Sequence, residues 1–121
     1  MQPAHAGVLM AWGRLFLEKG ETEKAKEFLE QAKEKGEDSD VLYSALGEAY
    51  RKLGLWQEAA GAYRHALKFR RSNVDWRRNL GIALANLGRT REAELKFREV
   101  LSISSDDAEA WQELKKLGKR Y

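Results

Sequence analysis

Residues 40–73 read DVLYSALGEAYRKLGLWQEAAGAYRHALKFRRSN, and this stretch decides the architecture because its landmarks recur on both sides of it. Gly47 is matched by Gly13 and Gly81, Gly54 by Gly20 and Gly88, and Ala59 by Ala25 and Ala93, three ladders that share a period of 34 residues. The large apolar positions keep the same step, with Trp12, Leu46, Leu80 and Leu114 in one series, Phe16, Tyr50 and Leu84 in a second, and Leu29, Tyr63 and Phe97 in a third. A fixed period of this length marks stacked units, each of which buries its apolar face only against its neighbours.

The glycines indicate what the unit is. Inside a helix a glycine costs about 1 kcal/mol relative to alanine, so Gly13, Gly47 and Gly81 point to places where two helix backbones come close together. Gly20, Gly54 and Gly88 instead follow one apolar-periodic segment and precede another, which suits a left-handed helix terminus and a short turn. Each unit therefore reads as a pair of helices. Asn73 is an expected N-cap for the helix that follows it, and Asp106, with Glu109 as a capping-box partner, is expected to open the last one.

Composition agrees. Of 121 residues, 43% are hydrophobic and 34% charged, the balance of a soluble folded chain, and the single proline, Pro3, leaves the rest free to be helical. The absence of cysteine removes disulfides, thiolate metal sites and thiol nucleophiles and leaves the compartment open, a soluble cytoplasmic location being favoured over a secreted one. Ala6 to Leu17 is fairly apolar, but no Lys or Arg precedes it and Arg14 interrupts it, so it suits neither a signal peptide nor a membrane span. A net charge of +3 with acidic residues interspersed selects no nucleic-acid partner.

The middle unit, with Tyr43, Leu46-Gly47 and Tyr50 followed by Ala59 and Tyr63, resembles the tetratricopeptide repeat family. The resemblance covers residues 6–39, 40–73 and 74–107, with 108–121 as a closing helix in a single domain. It implies an all-α, right-handed superhelical solenoid of three helix-turn-helix repeats and a cap. The chain departs from the family at the repeat ends, where Glu37, Arg71 and Ser105 replace the usual proline, and at Lys115, where glycine is expected. The closing segment, polar at Glu109, Gln112, Glu113, Lys115, Lys116, Lys119 and Arg120, has the composition of a solvating cap, and no comparable polar helix precedes Ala6. Trp12, Phe16, Tyr43, Tyr50, Tyr63, Phe97 and Trp111 are expected in the inter-helix core, Trp56 and Phe69 between repeats, and Trp76, one residue before the usual large position, partly exposed.

Residues that carry chemistry are scarce. His5 and His65 are the only histidines, the acidic residues alternate with Lys and Arg as on a solvated helix face, and the glycines lack both phosphate-binding spacings. The expectation is no enzyme, no cofactor and no metal. The family resemblance implies a concave surface built from successive first helices, which here carries Met10, Arg14 and Leu17, then Ser44, Glu48 and Arg51, then Arg78, Ile82 and Asn86, with Gln112 and Lys116 extending the row. Arg14, Arg51 and Arg78 are the expected anchors for carboxylates and Met10, Leu17 and Ile82 the apolar contacts, so the partner is an acidic peptide or helix with apolar residues. Chaperone-binding members of the family clamp a C-terminal carboxylate with Lys, Asn and Arg, but Met10, Arg14, Ala45, Asp75 and Asn79 stand at those places, so the chaperone tail is not expected. The alternatives are self-assembly into a homo-oligomeric scaffold and RNA binding through the basic run Arg64, His65, Lys68, Arg70, Arg71, Arg77 and Arg78.

Overall fold

A computed structural model of the chain describes residues 3–118, with side chains from His5 onward, so that Lys119 and Arg120 of the expected cap lie outside the described residues. Among the described residues there are seven helices and no strand: α1 (Pro3–Glu18), α2 (Thr22–Glu34), α3 (Asp40–Lys52), α4 (Trp56–Phe69), α5 (Val74–Asn86), α6 (Thr90–Ile103) and α7 (Ala108–Lys116). Each helix packs on the next in sequence, and α1 also touches α3, which is the contact pattern of an all-α solenoid.

Within each pair, the interior glycine sets the helix separation. A Cβ built on Gly13 would lie 2.6 Å from Leu29 Cγ, one on Gly47 2.8 Å from the Tyr63 ring, and one on Gly81 2.7 Å from the Phe97 ring. The two ladders read from the sequence are thus the two sides of one contact: a large side chain from the second helix lies on the bare backbone of the first. The turns are equally regular. Gly20, Gly54 and Gly88 have φ of +81°, +74° and +80°, and in the middle unit Gly54 N–H donates to the Arg51 carbonyl at 3.1 Å while Leu55 N–H donates to that of Tyr50 at 2.8 Å. This pair of hydrogen bonds satisfies two otherwise unpaired carbonyls at the helix end and turns the chain within residues 53–55.

The first helix of each later unit starts on a side-chain cap. Ser39 Oγ accepts from Leu42 N–H at 3.2 Å, Asn73 Oδ1 from Trp76 N–H at 3.0 Å and Asp107 Oδ1 from Ala110 N–H at 2.9 Å. Asn73 is the cap the sequence led us to expect. The cap of α7 is Asp107 and not Asp106, whose carboxylate accepts from Ser104 Oγ instead. The repeat decides between two adjacent aspartates, since Ser39, Asn73 and Asp107 are themselves spaced by 34.

The core forms two clusters, one centred on Leu29, Leu42 and Leu46 and the other on Tyr63, Leu80, Phe97 and Leu114, with Tyr50 and Trp76 packed against both. Tyr50 also donates its hydroxyl to Glu30 at 2.6 Å, tying α3 to α2; burial and that carboxylate hold the phenol far above its ordinary pKa. Tyr43, Tyr63 and Phe97 are buried, Phe16 and Trp56 half-buried. Three aromatic expectations need correction. Trp12 is 48% exposed and Trp111 40%, because α1 has no second-type helix before it and α7 none after it among the described residues. Phe69 is also exposed, and its ring stacks on Tyr43 inside its own repeat rather than between repeats.

These glycines make opposite predictions. Gly47→Ala forces a methyl into the Tyr63 ring and should destabilise the chain by about 1–3 kcal/mol. Gly61 sits in α4 with nothing within 4 Å of an added Cβ, so Gly61→Ala should stabilise by about 0.5–1 kcal/mol. Urea denaturation of the two variants beside the parent checks both signs.

Candidate functional site

The first helices α1, α3 and α5 line a cavity of about 700 Å³. α1 contributes Arg14, Leu17 and Glu18; α3 contributes Ser44, Ala45, Glu48, Arg51 and Lys52; α5 contributes Asp75, Trp76 and Asn79; Tyr63 reaches it from α4, and Asp40, Val41 and Arg70 also line it. Five of the residues expected on the concave surface therefore converge: Arg14, Leu17, Ser44, Glu48 and Arg51. Leu17 does so as a buried member of the core, so it offers only an edge of its side chain.

The other six stand elsewhere. Met10 is half-buried against the first core cluster, with its sulfur 3.9 Å from Ser39 Oγ. Ile82 packs on the second cluster, and exposed Asn86 spends an amide proton on the Ile82 carbonyl at 2.8 Å. Gln112 and Lys116 are exposed on α7, where Lys116 pairs with Glu113 at 3.2 Å. Arg78, read from the sequence as an anchor, points into the α5–α7 junction: its guanidinium holds Asp107 Oδ2 at 2.5 Å and Oδ1 at 3.1 Å, Asp75 at 3.1 Å and Glu109 at 3.5 Å, and its side chain is 13% exposed. The Arg78 guanidinium holds the Asp107 carboxyl below the ordinary carboxylate value, and Asp107 in turn raises Arg78. Arg78 thus fastens the residue that caps α7.

Electrostatics single out the cavity's centre. Four of its lining cations face four lining anions, so the total decides nothing; the pairing does. Arg70 pairs with Asp40 at 2.9 Å, Lys52 with Glu48 at 3.2 Å, and Asp75 with Arg78, whereas among the described residues no ion pair engages Arg14, Arg51 or Glu18. Arg51 Nε, like Arg77 Nε on α5, is buried with no hydrogen-bond partner among the described residues, a state that costs about 1–3 kcal/mol. Burial pushes the Tyr63 phenol up, and Arg51 and Asn79 oppose that shift, which places both donors beside the same hydroxyl. Arg14, Arg51 and Asn79 thus bring donors to the cavity lining, with Glu18 the lining carboxylate nearest to Arg14 in sequence.

Sequence reasoning missed Tyr63, Trp76, Asn79 as a donor, and the Arg70–Asp40 rim. Trp76 carried a signal, since its displacement by one residue from the usual large position turns the indole between the two core clusters and onto the cavity. Four cations of the basic run are ion-paired, Arg64 with Glu92 at 3.7 Å, Arg77 with Glu99 at 2.8 Å, and Arg70 and Arg78 as above, and His65 stacks on Tyr43 at 4.1 Å, while Lys68 and Arg71 are exposed. Among the described residues no group of three or more His, Asp or Glu is placed to hold a metal ion, and no helix is long and apolar enough to cross a membrane.

Comparison with known proteins agrees with this fold. One tetratricopeptide repeat family model matches residues 44–108 and a second matches 6–34. The chain is 29% identical over 108 residues to the human (Homo sapiens) protein O-mannosyl-transferase TMTC1, a match that takes in 89% of this chain and 12% of that protein. Similar solved structures include YrrB, a tetratricopeptide repeat protein with an unusual peptide-binding site, at a TM-score of 0.90 and 24% identity, covering 93% of this chain and 58% of that one. The first such domain of Spaghetti (RPAP3), bound to the HSP90 peptide SRMEEVD, superposes at 0.83 with 23% identity over 98% of this chain and 94% of that one.

The Arg78–Asp107 bridge is testable separately from the cavity. Asp107→Asn keeps a capping oxygen and removes the charge, so at neutral pH it should destabilise by about 1–3 kcal/mol. Because the fold lowers the Asp107 pKa, that contribution is present above the ordinary carboxylate value and is lost as the pH falls through the lower, folded value. Denaturation curves of parent and variant should therefore diverge near pH 7 and converge near the acid limit; a pH-independent gap would assign the effect to packing.

Proposed function

The chain belongs to the tetratricopeptide repeat family, and from that premise we propose that it is a protein-interaction module whose α1–α3–α5 cavity holds an extended, acidic segment of a partner protein. The observation that carries this reading is the buried, unpartnered Nε of Arg51, beside Arg14 and Asn79. A carboxylate from the partner accepts from the cavity-facing N–H groups of the Arg14 and Arg51 guanidiniums, and such a charge-assisted bond is roughly twice as strong as a neutral one. Trp76 and the edge of Leu17 give an apolar side chain of the same segment a wall to pack on. The peptide held by the Spaghetti domain is itself acidic, which supports the same chemistry on a shared fold.

The ligand differs from a chaperone tail in one respect. Of the positions that clamp such a tail in the family, Arg14, Ala45, Asp75 and Asn79 line the cavity, but Ala45 offers no polar group and Asp75 repels a carboxylate. A peptide whose acidic residue sits between α1 and α3, away from Asp75, fits better than one with a carboxylate at the α5 end. The module works by binding; the transferase in the name of the human relative is a protein of which this chain matches 12%.

An array of acidic and neutral peptides, followed by calorimetry on the hits, tests the proposal. Arg14→Ala with Arg51→Ala should weaken acidic hits at least tenfold, and Arg78→Lys should leave them within about twofold because Arg78 faces away from the cavity. Equal binding by the double variant, with its circular dichroism unchanged, would refute the cavity as the site.

A further inference from the structure

On the side of α3 away from the cavity, Tyr43, Leu46 and Tyr50 form an i, i+3, i+7 row that floors a second cleft of about 260 Å³. Lys33 of α2 bounds it on one side, and Glu58, Gly61, Ala62 and His65 of α4 bound it on the other. It shares no lining residue with the first cavity. The His65 ring lies parallel to that of Tyr43 with 4.1 Å between centroids, so one end of the cleft is flat and aromatic. Gly61, one turn before His65, leaves the α4 side open. It is a mid-helix glycine with nothing within 4 Å of an added Cβ, so no close helix contact accounts for its cost of about 1 kcal/mol.

The next junction shows what this one lacks. One period of 34 further along, Leu95 stands for Gly61, Arg77 for Tyr43 and Glu99 for His65, and Arg77 bonds Glu99 at 2.8 Å. Arg64 reaches from α4 to Glu92 of α6 at 3.7 Å; at the first junction those two places are Glu30 and Glu58, both acidic. Neither arginine has a counterpart there. Glu30 accepts from the Tyr50 hydroxyl at 2.6 Å, and the charges of Glu30 and Glu58 both help to hold that phenol up, which puts the two carboxylates at the Tyr50 end of the cleft. Among the described residues no ion pair engages either of them, and Lys26, one turn before Glu30, pairs with Glu23 at 3.0 Å instead. Lys33 stands at the other end, its Nζ 6.0 Å from the Tyr43 ring.

We propose that this cleft binds one arginine side chain of a partner protein, with the guanidinium on Glu58 beside Glu30 and the methylenes on Tyr43, Leu46 and the bare Gly61 backbone. The guest supplies the cation that Arg64 and Arg77 supply one junction later. A planar fork of donors suits two neighbouring carboxylates better than the point charge of an ammonium does, and its flat stem and head pack on aromatic rings. Lys33 repels a cation at the Tyr43 end, so the arginine enters in one direction. The site is independent of the acidic segment proposed for the α1–α3–α5 cavity, since it lies on the opposite side of α3.

Three end-capped tripeptides are the probes, each with glycine on both sides of a central arginine, citrulline or glutamate. Titrated into the ¹⁵N-labelled 121-residue chain, the arginine peptide should shift the amides of Gly61 and His65 saturably. Citrulline, which keeps the shape without the charge, and glutamate should each bind at least about tenfold more weakly. Gly61→Leu copies the Leu95 of the next unit and should abolish the shifts with the circular dichroism unchanged. Glu58→Gln should weaken binding about threefold, as befits an exposed carboxylate, and Arg14→Ala with Arg51→Ala should leave it as it is. Absence of a saturable shift at Gly61 and His65 overturns the proposal, as do equal binding of the citrulline peptide, tighter binding of the glutamate peptide, or undiminished binding by a folded Gly61→Leu variant.

Discussion

Everything in this molecule depends on how closely two helices approach at Gly13, Gly47 and Gly81. A methyl group at any of these positions would overlap Leu29, Tyr63 or Phe97 by several tenths of an ångström. Interiors packed at crystal-like density do not absorb such an overlap without moving a helix. The same contact, repeated with a period of 34, fixes the inclination of each pair and hence of the next pair on it. The concave face and the cavity between α1, α3 and α5 follow from that repetition. Tyr63 belongs to both levels, with its ring on the Gly47 backbone and its hydroxyl near the Arg51 and Asn79 that line the cavity.

Charge is used twice on α5, for different ends. Arg78 is committed to the α5–α7 junction, where Asp107 both caps a helix and receives a two-point guanidinium bond. Little of that charge faces solvent, so it serves the architecture. The next residue, Asn79, and Arg14 and Arg51 on α1 and α3 line the cavity instead, Arg51 and Asn79 beside the Tyr63 hydroxyl. Two buried donors, Arg51 Nε and Arg77 Nε, lack an acceptor, and of these only Arg51 belongs to a residue that lines the cavity, where the rest of its guanidinium is the group an outside carboxylate would meet.

The architecture was readable from the sequence because its causes are local and repeated: glycine at a close contact, glycine in a left-handed turn, a short polar side chain before a helix. Three copies of each cause outweigh any single ambiguity, and the α7 cap, assigned to Asp106 although the period indicates Asp107, erred only where that repetition was set aside. The cavity lining was half readable. Arg14, Ser44, Glu48 and Arg51 line it because position along a first helix determines the face. Arg78 has the right position too, but whether an arginine is free depends on the anions around it, and Asp107 lies 29 residues away in sequence. Exposure of Trp12 and Trp111 was hidden for a similar reason, since a core-type residue is covered only if its neighbouring helix is there.

The side-chain Nε–Hε resonance of Arg51 reports most directly on the central claim. In the presence of a saturating acidic peptide selected by the parent chain, the account predicts a downfield shift of that proton and slowed exchange with solvent, as expected for a buried donor that gains a carboxylate acceptor. A resonance unchanged by a peptide that is demonstrably bound would contradict it, and would move the recognition surface away from the cavity.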